Sequence, residues 1–261
     1  MDKNVIGSAF AGIGGFDLGM QRAGFSSAWQ IEIDADRRKI LNQHWPDVPK
    51  FSDVRNCNRK NLSYVDILCG GFPCTDLSMA RFGSHTGLQG KESGLFYEFA
   101  RIANEIRPRW IVIENVSSVT AHLPEIEHIL SDWKFESKKL RGESFGSYTR
   151  RERVFIVGYL GSIGRQKIFD SSALPKKVAK TRGTKDTLPM CLPWKGGLSL
   201  ERLGACVLVC EEIDPLRIRE SDGIPRRMDS FSDTKRWNMI GDSVCVDIVE
   251  WIGNRIRKID P

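Results

Sequence analysis

The sequence lacks the patterns by which cysteine and histidine build metal sites and disulfide frameworks. Its seven cysteines include no C-x-x-C pair, and its four histidines have no zinc-type spacing beside them. Neither a zinc site nor a disulfide-stapled fold is therefore indicated, and we predict that the protein holds no metal. Most of the cysteines are expected to be small buried hydrophobic residues.

Long apolar runs are absent as well. No stretch approaches the roughly 18 residues of a membrane span, and the opening segment MDKNVIGSAF has an acid and too short an apolar run for a signal peptide. Of the 261 residues, 41% are hydrophobic and 28% are charged, which is enough for a substantial core and unlike a disordered chain. We predict a cytoplasmic protein with no membrane association.

The glycine-rich segment FAGIGGFDLG, at residues 10–19, lacks two common nucleotide-binding signatures. It has neither the G-x-G-x-x-G spacing of dinucleotide sites nor the Lys-Ser/Thr of a phosphate-binding P-loop. It does follow a predicted strand and precede a predicted helix, and Gly12, Gly14 and Gly15 allow a tight turn close to a ligand. A cofactor without a triphosphate is therefore favoured.

Two acids follow this loop at the ends of later segments. Glu32, 17 residues beyond Gly15, ends the second predicted strand, where such folds bind ribose hydroxyls. Asp53, in FSDVRN, could accept a hydrogen bond from an adenine amino group. Each acid alone fits an N-cap or a surface position equally well. Together with the glycines, they predict a nucleoside-bearing ligand.

Basic residues are concentrated in one part of the chain. The formal net charge is +6, and residues 161–186 alone carry seven Lys or Arg against two Asp. Such a region is typical of a polyanionic partner, although a solvated loop has the same composition. The basic residues are Arg165, Lys167, Lys176, Lys177, Lys180, Arg182 and Lys185.

Strand and helix patterns alternate through the first 160 residues. Strands that are apolar on both faces, separated by helices, predict a parallel sheet with helices on both sides. We expect a catalytic and cofactor-binding domain at 1–160, a smaller domain at 161–224, and a C-terminal return at 225–261. The predicted strands are 5–10, 27–33, 65–71, 109–116 and 153–160, and the predicted helices include 35–45, 93–108 and 242–256.

The segment GGFPCTDLS, at residues 70–78, places a cysteine directly after a strand and a proline. Pro73 is stiff and gives up a hydrogen-bond donor, so Cys74 is either a presented nucleophile or part of a turn. Glu114 interrupts an otherwise apolar strand, and a buried carboxylate is costly without partners. Paired arginines open another strand, in RRERVFIVG. The ends of these strands are expected to meet at one crevice.

Five segments in this order resemble the sequence blocks of the cytosine-C5 DNA methyltransferases, which use S-adenosylmethionine. The match spans residues 10–244 and is most similar to compact phage or mobile-element members. It implies a Rossmann-like S-adenosylmethionine-dependent methyltransferase sheet with a small target-recognition domain. The segments are FAGIGGFDLG, GGFPCTDLS, IENV, TRRERVFIVG and GDSV.

The resemblance implies a mechanism and a set of site residues. The Cys74 thiolate would add to C6 of a flipped-out cytosine, Glu114 would hold the base, and Arg151 and Arg153 would lower the pKa of the thiol. Phe10 and Leu95 fit plain core packing as well. The implied cofactor residues are Phe10, Gly12, Gly14, Gly15, Phe16, Glu32, Ile33, Asp53, Val54, Gly71, Pro73, Leu95 and Asp242.

Three positions depart from the family pattern. Thr75 and Thr149 stand where Gln is frequent, and Asp242 stands where Asn is usual, which replaces a donor by an acceptor and adds a charge. The expected partner is double-stranded DNA, bound by a monomer in a bacterial or phage-infected cell. Two alternatives stay open: an RNA cytosine-C5 methyltransferase, and a catalytically impaired relative that binds DNA or regulates.

Overall fold

A computed structural model describes residues 4–73, 94–145, 151–161, 167–170 and 241–260, together with residues 231, 232, 235, 238 and 239. Cys74, Thr75, Thr149 and nearly all of the predicted small domain lie outside these residues. No helix within these ranges is long and apolar enough to cross a membrane. The strands are β1 Val5–Ala9, β2 Ser26–Ile31, β3 Lys50–Phe51, β4 Ile67–Gly70, β5 Trp110–Asn115, β6 Trp133–Arg141 and β7 Glu152–Leu160; the helices are α1 Gly15–Arg22, α2 Ala35–His44, α3 Leu95–Ile106, α4 Leu123–Ile129 and α5 Val246–Ile259.

The strands form one mixed sheet in the order β3-β2-β1-β4-β5-β7-β6. The strands β1 to β5 run parallel to one another, whereas β7 runs antiparallel to both β5 and β6. The α/β class with flanking helices is confirmed, and the predicted parallel arrangement holds for β1 to β5 but was wrong for β7, which makes the sheet mixed. Only ten residues join β6 to β7, which suffices for antiparallel neighbours but not for the crossover that a parallel pair needs.

The reversed direction of β7 has a consequence for the site. Its first residues lie at the edge where β1, β2, β4 and β5 end, because an antiparallel strand starts where its parallel neighbours finish. The register pairs Asn115, at the end of β5, with Val154, near the start of β7. Arg151 and Arg153 are therefore at the carboxyl edge of the sheet.

Apolar residues cover both faces of the sheet. On β5, Ile111 and Ile113 join a core cluster with residues of α3 and α4, while Trp110 and Val112 join a second cluster with residues of α1 and α5. This double-sided burial explains the nearly continuous apolar run of the strand. The helices are thus divided between the two faces.

Several elements start or end away from their predicted bounds, or were not predicted. The helix α3 ends at Ile106 because Arg107 adopts a left-handed conformation (φ 56°) before a proline. The strand β6 was missed, since Lys134 and Lys139 are exposed on it and its polar pattern is that of a sheet edge. The elements β3 and α4 were also missed, and both are short.

One buried acid in α1 was not singled out from the sequence. Asp17 has no exposed surface, and one of its carboxylate oxygens accepts a hydrogen bond from the Ser27 hydroxyl (2.6 Å). The other oxygen has no hydrogen-bond partner among the described residues. Burial raises the pKa of Asp17, and the hydrogen bond from Ser27 acts in the opposite direction.

Replacing Asp17 by Asn should therefore make folding stability less dependent on pH. An acid whose pKa is raised in the folded state gives stability that is fully present below its ordinary pKa of 3.8 and is lost as the pH rises through the folded value. Asn has no such proton to lose. At neutral pH, Asp17→Asn should be more stable than the unaltered chain by about 1 kcal/mol or more, and this gain should shrink towards acid pH.

Urea unfolding at a series of pH values measures this difference. Asp132→Asn is the matched control, because Asp132 is exposed and paired with Arg107 at the surface. Parallel stability curves for Asp17→Asn and the unaltered chain would contradict the prediction.

Candidate functional site

A cleft of about 520 Å³ lies at the carboxyl edge of the sheet, which is a usual size for a small-ligand site. Its walls come from the β1–α1 loop, the ends of β2, β4 and β5, the start of β7, and residues 241–244. It brings together twelve of the thirteen predicted cofactor residues and three of the four predicted catalytic ones. These are Phe10, Gly12, Gly15, Phe16, Glu32, Ile33, Asp53, Val54, Gly71, Pro73, Leu95 and Asp242, with Glu114, Arg151 and Arg153.

Gly14 is the exception, because it does not line the cleft. It is the N-cap of α1, has a left-handed conformation (φ 91°), and packs so closely on Trp45 that a Cβ would lie 2.3 Å from a ring carbon. A glycine is thus required at position 14, both by the left-handed turn and by the close packing on Trp45. Gly15 has a different role: a Cβ there would lie 2.6 Å from the Ser243 Oγ, so the start of α1 closely approaches the C-terminal segment.

Glu32 fastens the glycine-rich loop to the end of β2. One of its carboxylate oxygens accepts a hydrogen bond from the Gly12 N–H (2.8 Å) and the other accepts one from the Asp34 N–H (2.9 Å). The side chain is buried, and burial raises the pKa of Glu32 although these donors oppose the rise. Each oxygen keeps a further lone pair, with which it can bind a ligand hydroxyl.

Asp53 follows β3, the strand next to β2, and is organised by its neighbour Arg55. Its carboxylate accepts the Arg55 backbone N–H (3.0 Å) and three hydrogen bonds from the guanidinium, of which the Nη2 one is 2.7 Å long and the other two come from Nε. These hydrogen bonds lower the pKa of Asp53. Ile33, with 68% of its surface exposed, gives this part of the cleft an apolar side.

Glu114 and two arginines form the other end of the cleft. The Glu114 carboxylate is buried on β5, and its Oε1 lies 3.1 Å from the Arg153 Nε. Burial raises the pKa of Glu114, while the charges of Arg151 and Arg153 act to lower it. Within the described part of the chain, Oε1 accepts no well-aligned hydrogen bond. It can therefore accept a hydrogen bond from an N–H group of a ligand.

Arg151 connects this end to the C-terminal segment. Its Nη1 donates to the carbonyl oxygens of Gly241 (2.6 Å) and Ser243 (3.1 Å). The residue between these two in sequence is Asp242, whose carboxylate lies 2.5 Å from the Arg37 Nη2. Arg37 was not predicted as a site residue, and nothing in its local sequence distinguishes it from other helix arginines.

Asn115 was also missed, although a buried amide next to Glu114 in an apolar strand could have indicated it. Its Nδ2 donates to the Phe72 carbonyl oxygen (3.1 Å), and its Oδ1 accepts the Val116 N–H (2.8 Å). The side chain is buried. Asn115 thus fixes the backbone that leads into Pro73, one residue before the predicted nucleophile.

Asn115→Ala should lower the free energy of unfolding by about 1–3 kcal/mol, because it leaves a buried carbonyl oxygen without its donor. Asn61→Ala is a matched control, since the exposed Asn61 side chain makes the same pair of hydrogen bonds, donating to Asn56 and accepting from Asn58. Chemical denaturation of both variants measures the difference. Equal losses of unfolding free energy in the two variants would contradict the prediction, because they would show that burial does not make the Asn115 hydrogen bonds more stabilising.

Comparison with known proteins adds independent information. The profile of a family described as C-5 cytosine-specific DNA methylase matches residues 5–190. The Type II methyltransferase M.HhaI of Haemophilus parahaemolyticus is 27% identical over 198 residues, which cover 72% of this chain and 58% of that protein. M.DsaV of Dactylococcopsis salina is 29% identical over 191 residues, covering 69% and 51%. The chain thus spans little more than half the length of these relatives.

A solved structure has the same architecture. The Dnmt2 methyltransferase of S. pombe matches 99% of this chain and 100% of its own, with a TM-score of 0.69 and 16% sequence identity. At this identity the likeness concerns the fold alone. It confirms the prediction of a methyltransferase-type α/β sheet.

Proposed function

Because the chain belongs to the C-5 cytosine-specific DNA methylase family, we propose that it transfers a methyl group from S-adenosylmethionine to C5 of cytosine in double-stranded DNA. The observation that carries the proposal is one cleft with two differently built ends. Glu32 and Asp53 offer acceptors for a nucleoside at one end, and at the other end the buried Glu114 carboxylate lies against Arg153, with the charge of Arg151 nearby. The Type II methyltransferases matched above are relatives in the same family.

The volume of the cleft and its hydrogen-bond acceptors suit S-adenosylmethionine. Glu32 has lone pairs left for the ribose hydroxyls, Asp53 is an ionised acceptor for the adenine amino group, and Ile33 offers an apolar surface to the ring. Phe10, Gly71 and Pro73 line the same cleft towards Glu114. When bound, S-adenosylmethionine supplies the methyl group as an electrophile.

The chain's own residues would activate the cytosine. The Cys74 thiolate would form a bond to C6, which moves electron density to C5. Once C5 has gained the methyl group, a base would take the C5 proton, and the Cys74–C6 bond would break so that the thiolate leaves. Arg151 and Arg153 line the same cleft as Gly71 and Pro73, and their positive charges would favour the thiolate over the thiol.

Glu114 would hold the base while charge develops on it. Its Oε1 accepts from the exocyclic amine, and a carboxyl with a raised pKa can share a proton with N3. A cytosine inside a duplex cannot reach a carboxylate buried on β5, so the target nucleotide would be turned out of the helix. The basic region at 161–186 would contact the phosphates.

Incubating the chain with unmethylated duplex DNA and S-adenosylmethionine, followed by base-resolution mapping of 5-methylcytosine, tests the proposal. We expect methylation confined to one short sequence. Cys74→Ser should show no methylation and should still bind DNA, because the thiolate is needed for the covalent step and not for phosphate contacts.

The other outcomes distinguish the alternatives. Methylation of RNA but not DNA would establish the RNA enzyme. Cofactor binding without any methylation would favour an impaired relative. Full activity of Cys74→Ser would show that Cys74 is not the nucleophile.

Glu32→Gln should weaken binding of S-adenosylhomocysteine by at least about tenfold, since a carboxylate that receives several hydrogen bonds becomes an amide with one acceptor oxygen. Isothermal titration calorimetry measures the affinity. Glu105→Gln is the control, because Glu105 also accepts a backbone N–H, from Arg59, and is not among the cleft-lining residues. An unchanged affinity for Glu32→Gln would remove Glu32 from the proposed cofactor site.

A further inference from the structure

An ion pair connects two sides of the cleft that are far apart in sequence. Arg37 is the third residue of α2 and Asp242 belongs to the C-terminal segment, 205 residues later; their Nη2 and Oδ2 atoms lie 2.5 Å apart. Both residues line the cleft. The contact therefore joins the helix after β2 to the segment that crosses towards β7.

The backbone around Asp242 is held from the opposite side. Arg151 binds the carbonyl oxygens of Gly241 and Ser243, which flank Asp242, and the Asp242 N–H donates to the Asn238 carbonyl oxygen (3.0 Å). The Ser243 side chain is buried close to Gly15. The segment is thus anchored at its β7 side and at the start of α1, and the Asp242 carboxylate completes the connection to α2.

Arg37 is itself well placed for this contact. Its N–H donates to the Asp34 carboxylate at the N-cap of α2 (3.0 Å), and its charge acts on Glu32 to lower the pKa of that carboxyl. The guanidinium therefore lies between the acid that holds the glycine loop and the acid of the C-terminal segment. Its side chain is 22% exposed, whereas that of Asp242 is 62% exposed.

We propose that Arg37 is a positioning residue that, through its ion pair with Asp242, holds residues 241–244 across the mouth of the cleft and retains the ligand there. The inference rests on the proposed function in one respect, namely that the ligand is S-adenosylmethionine or its product. Asp242, a carboxylate where the resembling family usually has Asn, gives the guanidinium a charged partner, and such hydrogen bonds are stronger than neutral ones.

A double-mutant cycle on Arg37→Gln and Asp242→Asn tests this role through binding of S-adenosylhomocysteine. Each single variant should weaken binding about three- to fivefold, the range for a partly exposed ion pair, mainly through faster dissociation. The double variant should lose little more than either single one, because both remove the same contact. The cycle also separates the pair from any effect of Arg37 on Glu32.

The salt dependence of ligand binding distinguishes this ion pair from a merely structural role, which would not respond to salt. Between about 0.05 M and about 0.5 M NaCl, the coupling between the two positions should decrease, since salt screens a pair whose Asp242 carboxylate is 62% exposed. Arg22→Gln is the matched control: Arg22, an arginine of similar exposure to Arg37, joins α1 to Asp247 of α5 and is not a cleft-lining residue. It should leave ligand binding unchanged.

Amide hydrogen exchange tests the holding role without any ligand. The Asp242 amide should exchange several-fold faster in Arg37→Gln than in the unaltered chain. Unchanged exchange, or additive losses of affinity in the cycle, would overturn the inference. If the unaltered chain bound no S-adenosylhomocysteine, the proposed function would fail, and the exchange result would still decide whether Arg37 holds the segment.

Discussion

The antiparallel pairing of β7 with β5 is the constraint on which the cleft depends. It places Arg151 and Arg153 at the edge where Glu114 lies, with Asn115 opposite Val154. Were β7 parallel to β5, its nine residues would carry the arginines about 30 Å away, to the other edge of the sheet. A buried carboxylate on β5 would then have no cation, and the C-terminal segment would lose its Arg151 anchor.

Burying acids at the ends of strands costs this fold free energy. Glu32 and Glu114 are both almost inaccessible, and burial raises the pKa of each. Glu32 is compensated by two backbone N–H groups, and Glu114 by a nearby guanidinium. Each carboxylate can still accept a hydrogen bond from a ligand in the cleft. Burying these charges costs free energy, but it fixes two acceptor groups in position for a polar ligand.

The site also depends on contacts between the beginning and the end of the described chain. Residues 241–244 pack on Gly15 and bind Arg37, both more than 200 residues away in sequence, and they also bind Arg151, 90 residues before Gly241. The helix α5 follows directly and packs on the same face of the sheet as α1. The packing of the core and the closure of the cleft are therefore coupled.

The sequence by itself determined the features that depend on local patterns: the α/β class, the order of most strands and helices, and the motif positions at strand ends such as Glu32 and Glu114. Strand periodicity and a glycine-rich turn are properties of neighbouring residues, which explains why they could be predicted. The direction of β7, the packing role of Gly14, the clamp by Asn115 and the pair between Arg37 and Asp242 were decided only by the tertiary structure. Each of them is a contact between distant parts of the chain, and its energy exists only once the sheet has brought those parts together.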